Sequence, residues 1–296
     1  MLLVTGITGH SGKYFMQELI DHNYEDTICC IVRSSSDTSI LDSCGLKIEK
    51  VFGDLRDEDF IDSCMKDVDT VIHIAHISFS IQVMKAAIKN NLKRAILVHT
   101  TGIYSKYKIA SEEYKNIESE VRNIIKDNAS SIGLTILRPT MIYGNVTDRN
   151  MVVFIKIVDK LRLFPVIDHG KNLLQPVNGR DLGKAYYEVL ANPKIMNGDY
   201  ILSGKNPVTM IDIFKLISNY LGKKTVFVSI PLGFGLFLAG ILKAVTLGKI
   251  NYIEKVQRMG EDRSFSHEDA ARDFGYDPIP FAEGLKLEVE QYLKNV

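Results

Sequence analysis

The sequence predicts an α/β fold: a doubly wound parallel sheet with helices on both faces, and a smaller, mainly helical lobe towards the C-terminus. Three observations lead there. Short apolar runs alternate with segments of helical period through about the first 140 residues. A glycine turn follows the first run directly, and the alternation loosens after about residue 145.

Leu2-Leu3-Val4 reads as a buried parallel strand ending in Thr5-Gly6. Residues 11–22 carry Phe15, Met16, Leu19 and Ile20 on one helical face. Strands follow at 27–32 and 47–52, a helix at 56–65, a strand at 70–74 and a helix at 80–90. The fifth strand, 94–98, leads to a long amphipathic helix at 112–126, and the sixth, 134–137, closes on Arg138-Pro139. Such short connections imply parallel strands with right-handed crossovers. Beyond these lie a helix at 150–161, short strands at 164–167 and 173–177, a helix at 181–191 and a late sheet strand at 200–202. From Pro207 the pattern is helical, apart from a strand at 226–229. The expected division is a dinucleotide-binding domain over 1–205, with an excursion into the lobe near 145–177, and a substrate lobe over 206–296.

Composition narrows the function classes. The chain has 296 residues, and its 36 Lys+Arg balance its 36 Asp+Glu, so a nucleic-acid partner is not expected. Cys29, Cys30, Cys44 and Cys64 lack paired C-x-x-C spacing and read as reduced thiols of a cytoplasmic protein. Met1-Leu2-Leu3-Val4 runs straight into Gly6, leaving no secretory h-region. Residues 226–247 are largely apolar, but Pro231, Gly233, Gly235 and Gly240 interrupt them. A lobe-capping helix is expected there rather than a membrane span, with peripheral membrane contact or a greasy substrate as the other reading.

The turn Thr5-Gly6-Ile7-Thr8-Gly9-His10-Ser11-Gly12 carries the main functional signal. Gly6 permits the tight turn, Gly9 lets the backbone approach a pyrophosphate, and Gly12 lets the helix pack on the strand. Thr8, His10 and Ser11 fall where the helix amides face that phosphate. The second strand ends at Arg33 followed by Ser34, Ser35 and Ser36. An arginine there suits the 2′-phosphate of NADP, where an acidic residue would suit NAD. NADP(H) is therefore the expected cofactor, with NAD as the alternative.

Further strings carry a family resemblance: Gly53-Asp54-Leu55, His73-Ile74-Ala75-His76, Leu137-Arg138-Pro139-x-x-Ile142-Tyr143-Gly144 and Phe274-Gly275-Tyr276-Asp277-Pro278. With the glycine turn they make the chain resemble the extended and atypical branches of the short-chain dehydrogenase/reductase superfamily, including its nucleotide-sugar epimerases and dehydratases. That resemblance implies a Rossmann-type domain. It implies that Asp54 and Leu55 flank the adenine, that Ala75 and His76 line the dinucleotide, and that the loop from Pro139 touches nicotinamide or substrate. A plain turn cap is the competing role for Asp54. The resemblance also implies a homodimer through the helices at 80–90 and 112–126.

The family's reaction uses a tyrosine, a lysine four residues later, and a Ser/Thr hydroxyl at the end of the fifth strand. A free phenol titrates near pH 10, and a neighbouring ammonium brings it towards neutrality. Here that strand ends His99-Thr100-Thr101-Gly102-Ile103-Tyr104. Thr100 matches the hydroxyl position, with Thr101 the alternate by one slip. Tyr104 and Lys108 fit the tyrosine-lysine spacing, but lie in the loop rather than on the next helix. On that helix, aligning Glu120 with the family's glutamate puts Glu112 and Asn116 in the catalytic pair's places. Three readings stay open: Tyr104 with Lys108, Tyr114 with another helper, or no usual proton relay.

His73, His76 and His99 sit at strand ends without the carboxylate or cysteine company of a metal site, so no metal is expected. Arg149, Arg180, Arg258 and Arg263 lie in stretches that should roof the site, and Asp181 should cap or open its helix. The leading function is an NADP(H)-binding oxidoreductase or epimerase acting on a nucleotide-linked sugar. The alternatives are a non-catalytic NADP(H)-binding sensor or assembly factor, and a reductase of an apolar alcohol or lipid.

Overall fold

A computed structural model describes residues 1–107 and 109–295. In chain order the first half contains β1 (Leu2–Thr5), α1 (His10–Asp21), β2 (Ile28–Val32), α2 (Ser39–Ser43), β3 (Ile48–Phe52) and α3 (Glu58–Cys64). It continues through β4 (Thr70–His73), α4 (Ser80–Lys89), β5 (Arg94–Val98), α5 (Ser111–Asp127) and β6 (Gly133–Pro139). Then come β7 (Ile142–Tyr143), α6 (Met151–Lys160), β8 (Leu163–Ile167), β9 (Leu173–Leu174), β10 (Val177–Asn178), α7 (Gly179–Ala191) and β11 (Gly198–Leu202). The remainder comprises β12 (Val208–Thr209), α8 (Met210–Tyr220), β13 (Val226–Ile230), α9 (Leu232–Val245), α10 (Ile253–Met259), α11 (Glu268–Phe274) and α12 (Phe281–Lys294).

The central sheet has seven strands in the order β11-β6-β5-β4-β1-β2-β3, every neighbouring pair parallel. This is the doubly wound order, and the strand order reverses between β1 and β4. The carboxyl ends of those two strands therefore bound the crevice where such sheets take their ligands.

Alternation along each strand feeds two cores. Leu2 and Val4 join Phe15, Met16 and Leu19 of α1 and Leu182, Ala185 and Tyr186 of α7 on one face. Leu3 points the other way, to the cluster holding Ile61 of α3, Val83 and Met84 of α4 and Ile117 and Val121 of α5. Each fully buried Leu, Ile or Phe contributes roughly 1.5–3 kcal/mol. Burial also pushes the Cys29 thiol up to about 11 and Cys30 up to about 12, so both stay protonated.

A third cluster joins α6, α8 and α12, with Met151, Ile155, Ile213, Phe214, Leu285 and Val289 buried together. The strand expected over 173–177 is two separate pieces. Pro176 has no N–H to donate, and Thr140 Oγ donates instead to the Gln175 carbonyl. Asp181 is the acid of α7's first turn, as expected, and accepts from the Ile279 N–H at 3.2 Å; the cap is Asn178, which accepts the Arg180 N–H at 3.0 Å.

Glu288 is buried on α12, where one carboxyl oxygen accepts the Gly144 N–H at 2.8 Å. Asp148 stands beside it and itself accepts from the Asn150 and Val152 amides. Burial and that neighbouring carboxylate push Glu288 up to about 10. Its ordinary value is 4.5, so between pH 4.5 and about 10 the folded chain holds a proton that the unfolded chain has lost. The stability associated with that proton is complete below pH 4.5 and is lost as pH rises to about 10. Glu288→Gln keeps an oxygen to accept the Gly144 N–H without titrating. Urea titrations across pH should show a flatter stability profile and a gain of about 1–3 kcal/mol at pH 8. An unchanged slope would sink this account of Glu288.

Candidate active site

The glycine turn closes the carboxyl end of β1 against that of β4. Gly6 has φ +77, and a Cβ placed there would lie 2.6 Å from the Ala75 nitrogen. At Gly12 a Cβ would lie 2.2 Å from the Gly6 carbonyl oxygen and 2.6 Å from that of Ile7. The turn tightens through the Gly9 N–H donating to the Gly6 carbonyl at 2.9 Å. Residues Ile7 to Ser11 thus pass into α1, whose N-cap is Gly9 and whose first turn has no side-chain cap, leaving its amides to a ligand. Both His10 ring nitrogens are buried without a partner among the described residues.

The other expected cofactor residues lie along the same sheet edge. Thr5 pairs with Ile31, so β2 releases Arg33 at the edge where β1 releases Gly6. Arg33 and Ser34 are exposed, and Arg33 makes no ion pair among the described residues. Asp54 accepts the Arg56 N–H at 2.9 Å, the turn-cap role, while Leu55 is half-buried against the second core. His76 is exposed and caps the turn that follows β4 through the Ser78 N–H.

Two of the strand-end histidines are already engaged. His73 is buried, its Nδ1 2.7 Å from Thr5 Oγ and its Nε2 3.2 Å from the His76 carbonyl, and burial holds it down at about 3, a neutral ring. His99 lies between Ser80 Oγ and Glu118 Oε1, each at 3.0 Å. Glu118 in turn takes a two-pronged contact from Arg138, which also reaches Asp199 at 3.1 Å. Desolvation works against the Glu118 carboxylate, but the His99 and Arg138 contacts outweigh it and hold its pKa down at about 2.

That network offers a second register beside the alignment through Glu120. Glu120 is exposed, and Glu118 is the buried partner of Arg138. If Glu118 is the family's glutamate, the tyrosine-lysine places fall two residues earlier than Glu112 and Asn116. They fall on Ala110 and Tyr114. The helical period carries the signal: Tyr114, Ile117, Glu118 and Val121 share the buried face of α5, whereas 120 lies opposite. Tyr114 is buried with its pKa raised by desolvation, and no ammonium occupies the position four residues after Ala110.

A cavity of about 910 Å³ opens beyond the carboxyl edge, between the sheet and the segments running from α10 to Phe265. Thr100, Tyr104 and Pro139 line it. Thr100 Oγ accepts the Gly102 N–H at 3.0 Å and so keeps its O–H free to donate. Thr101, which also lines the cavity, donates to the Pro139 carbonyl at 3.2 Å. Tyr104 is 48% exposed with its ring 5.6 Å from Phe265; Lys108 lies outside the described residues.

Val153, Phe154, Ile157, Leu174 and Met210 supply an apolar wall; Arg149, Lys255, Arg258 and Arg263 supply positive charge, partly offset by Glu261 and Asp262. Arg180, also expected in the roof, does not line the cavity. Arg258 pairs with Glu254 at 3.8 Å. Arg263 makes no ion pair among the described residues, its Nε is buried without a partner, and desolvation with Arg258 nearby pushes it down to about 10. Its backbone is fixed, since the Arg263 N–H donates to the Leu173 carbonyl at 2.7 Å. A half-buried guanidinium without an ion pair carries a desolvation cost, and an anionic ligand would offset it.

The profile of the NmrA-like family matches residues 1–272. Sterol demethylase protein B of Methylococcus capsulatus is 36% identical over 73 residues, 25% of this chain and 21% of the relative, so the match spans about a fifth of that protein's length. Among solved structures, gox2253 superposes with a TM-score of 0.80 at 18% identity, covering 100% of this chain and 98% of that one. The dTDP-glucose 4,6-dehydratase DesIV of Streptomyces venezuelae, solved with NAD bound, gives 0.75 at 18% identity over 99% and 97%. At these identities the likeness to solved structures shows the fold.

Proposed function

The chain belongs to the NmrA-like family, within the extended branch of the short-chain dehydrogenase/reductase superfamily, and we propose on that footing that it is an NADP(H)-binding oxidoreductase or epimerase of a nucleotide-linked sugar. The unpaired Arg263 carries the substrate half of this reading. A diphosphate in the cavity would meet Arg263, Arg258 and Arg149 together, and charge-assisted hydrogen bonds to phosphate are among the stronger ones. The dehydratase DesIV, which shares the fold, acts on such a substrate by its name.

The cradle fits a dinucleotide, because glycine at Gly6 and Gly12 lets the turn close on its own backbone, and that closed turn aims the first amides of α1 where a pyrophosphate binds. Gly6, Thr8, Gly9, His10, Ser11 and Gly12 would hold the pyrophosphate, Arg33 and Ser34 the 2′-phosphate, Asp54 and Leu55 the adenine, and Ala75, His76 and Pro139 the remainder. When bound, the nicotinamide supplies or accepts a hydride at a sugar carbon. Thr100 donates its free O–H to the substrate oxygen, the apolar wall excludes water, and Tyr104 is the candidate to exchange the proton with that oxygen. A homodimer through α4 and α5 and a cytoplasmic location complete the reading.

A second reading has its own observation. Neither register of α5, through Glu118 or through Glu120, puts a tyrosine with a lysine four residues later on that helix, so the chain could bind NADP(H) as a sensor without turning it over. Calorimetric titration with NADP and NAD, followed by a nucleotide-sugar turnover panel, separates the two. Wild type should prefer NADP, and Arg33→Asp should weaken NADP about 10–100-fold while sparing NAD. A wild-type preference for NAD would overturn the role given to Arg33. Tight NADP binding with neither hydride transfer nor isomerisation across the panel would leave the sensor reading standing.

A further inference from the structure

Helix α9 is amphipathic the wrong way round for a helix that merely caps a lobe. Its buried positions are the small residues Gly235 and Ala239. Phe234, Phe237, Leu238, Ile241 and Val245 recur at three- and four-residue spacing on the solvent side, with Phe237 61% and Val245 77% exposed. The apolar surface continues through Leu247, Ile250 and Tyr252, all exposed, and Tyr252 also lines the cavity. Exposed apolar surface of this continuity marks a contact site.

Charge identifies the partner. The whole chain is neutral, yet between Asp212 and Glu254 it carries Lys215, Lys223, Lys224, Lys243 and Lys249 and no Asp or Glu. Lys215 and Lys223 have acidic partners in Asp212 and Asp159, but Lys224, Lys243 and Lys249 make no ion pair among the described residues. Lys249 stands between exposed Leu247 and Ile250, and Lys255 lies 5.0 Å from the Tyr252 ring centre. A symmetric second copy would set these lysines against their own counterparts with no acid in the segment to answer them. An anionic bilayer surface answers both the apolar stripe and the lysines. At 14 residues α9 is too short to cross a membrane, and no described helix is long and apolar enough to do so.

We propose that the α9–α10 face docks this protein peripherally on anionic lipid, with α9 lying in the interface and the Tyr252 rim of the cavity turned to the bilayer. The proposal does not depend on the identity of the cofactor or substrate. Flotation of the full chain with vesicles tests it, comparing pure phosphatidylcholine with vesicles containing about 30% phosphatidylglycerol. Binding to the anionic vesicles should exceed that to neutral ones at least about 10-fold and fall steeply in about 0.5 M salt. Phe237→Ser with Ile241→Ser, both solvent-facing changes that should leave the thermal transition in place, should lower binding about 10-fold or more, and Lys249→Glu should weaken it too. Failure to float with anionic vesicles overturns the proposal, as does flotation indifferent to these variants. A concentration-dependent dimer dissociated by Phe237→Ser, without vesicle binding, would instead give the face to a second copy.

Discussion

Gly12→Ala should abolish NADP(H) binding. The added Cβ would sit 2.2 Å from the Gly6 carbonyl oxygen and 2.6 Å from that of Ile7, and both obstacles are backbone. No rotamer change relieves them, so α1 must move away from β1, and the turn that aims its amides must deform. Overpacking of this kind costs about 1–3 kcal/mol in stability. The larger effect is on the ligand, because the amides act on a phosphate only when aligned. For wild type, NADP(H) at about 100 times its dissociation constant should stabilise the fold by about 2.7 kcal/mol, an upward shift of several degrees in melting temperature. Gly12→Ala should melt a few degrees lower and show no shift with NADP(H). A variant that folds and still shifts like wild type would remove the glycine turn from the cofactor site.

Arg263→Met should move stability and binding in opposite directions. In the free protein the guanidinium is half-buried with an unpartnered Nε, beside Arg258 and with no ion pair among the described residues, and it carries a desolvation cost that Glu261 nearby only partly offsets. Methionine of similar length fills the space without that cost, so the free variant should be more stable by about 1–3 kcal/mol. A phosphate-bearing ligand loses its buried partner, and the affinity for UDP or inorganic pyrophosphate should fall about 100-fold or more. Thermal melts and calorimetry on the same samples read both signs. A destabilised variant with unchanged affinity would make Arg263 a structural residue and remove the main support for an anionic substrate.

Much of the candidate site was readable because it rests on local chemistry. Gly6, Gly9 and Gly12 recur at a spacing that a strand-to-helix turn requires, and Arg33 falls a fixed distance along the next strand. Thr100 was read with a one-residue ambiguity that no local pattern resolves. What distinguishes the two is that Thr101 reaches the Pro139 carbonyl, two strand ends apart in sequence and adjacent in space. Sequence spacing alone does not separate Glu118 from Glu120; the periodicity of α5 does, since a glutamate among Tyr114, Ile117 and Val121 must find a buried partner, and Glu118 finds Arg138.

The alternation of apolar runs, the glycine turn and the polarity at each strand end determined, from the sequence alone, a parallel sheet and the edge at which its ligands belong. These features follow from neighbours within a few residues, where propensity and period act directly. Only the tertiary structure decided that Arg263 makes no ion pair among the described residues, that Glu288 shares its burial with Asp148, and that α9 turns its large apolar side chains outward. Each depends on which distant groups share a low-dielectric space or leave it to water, and that is a property of the packing of elements far apart in the chain.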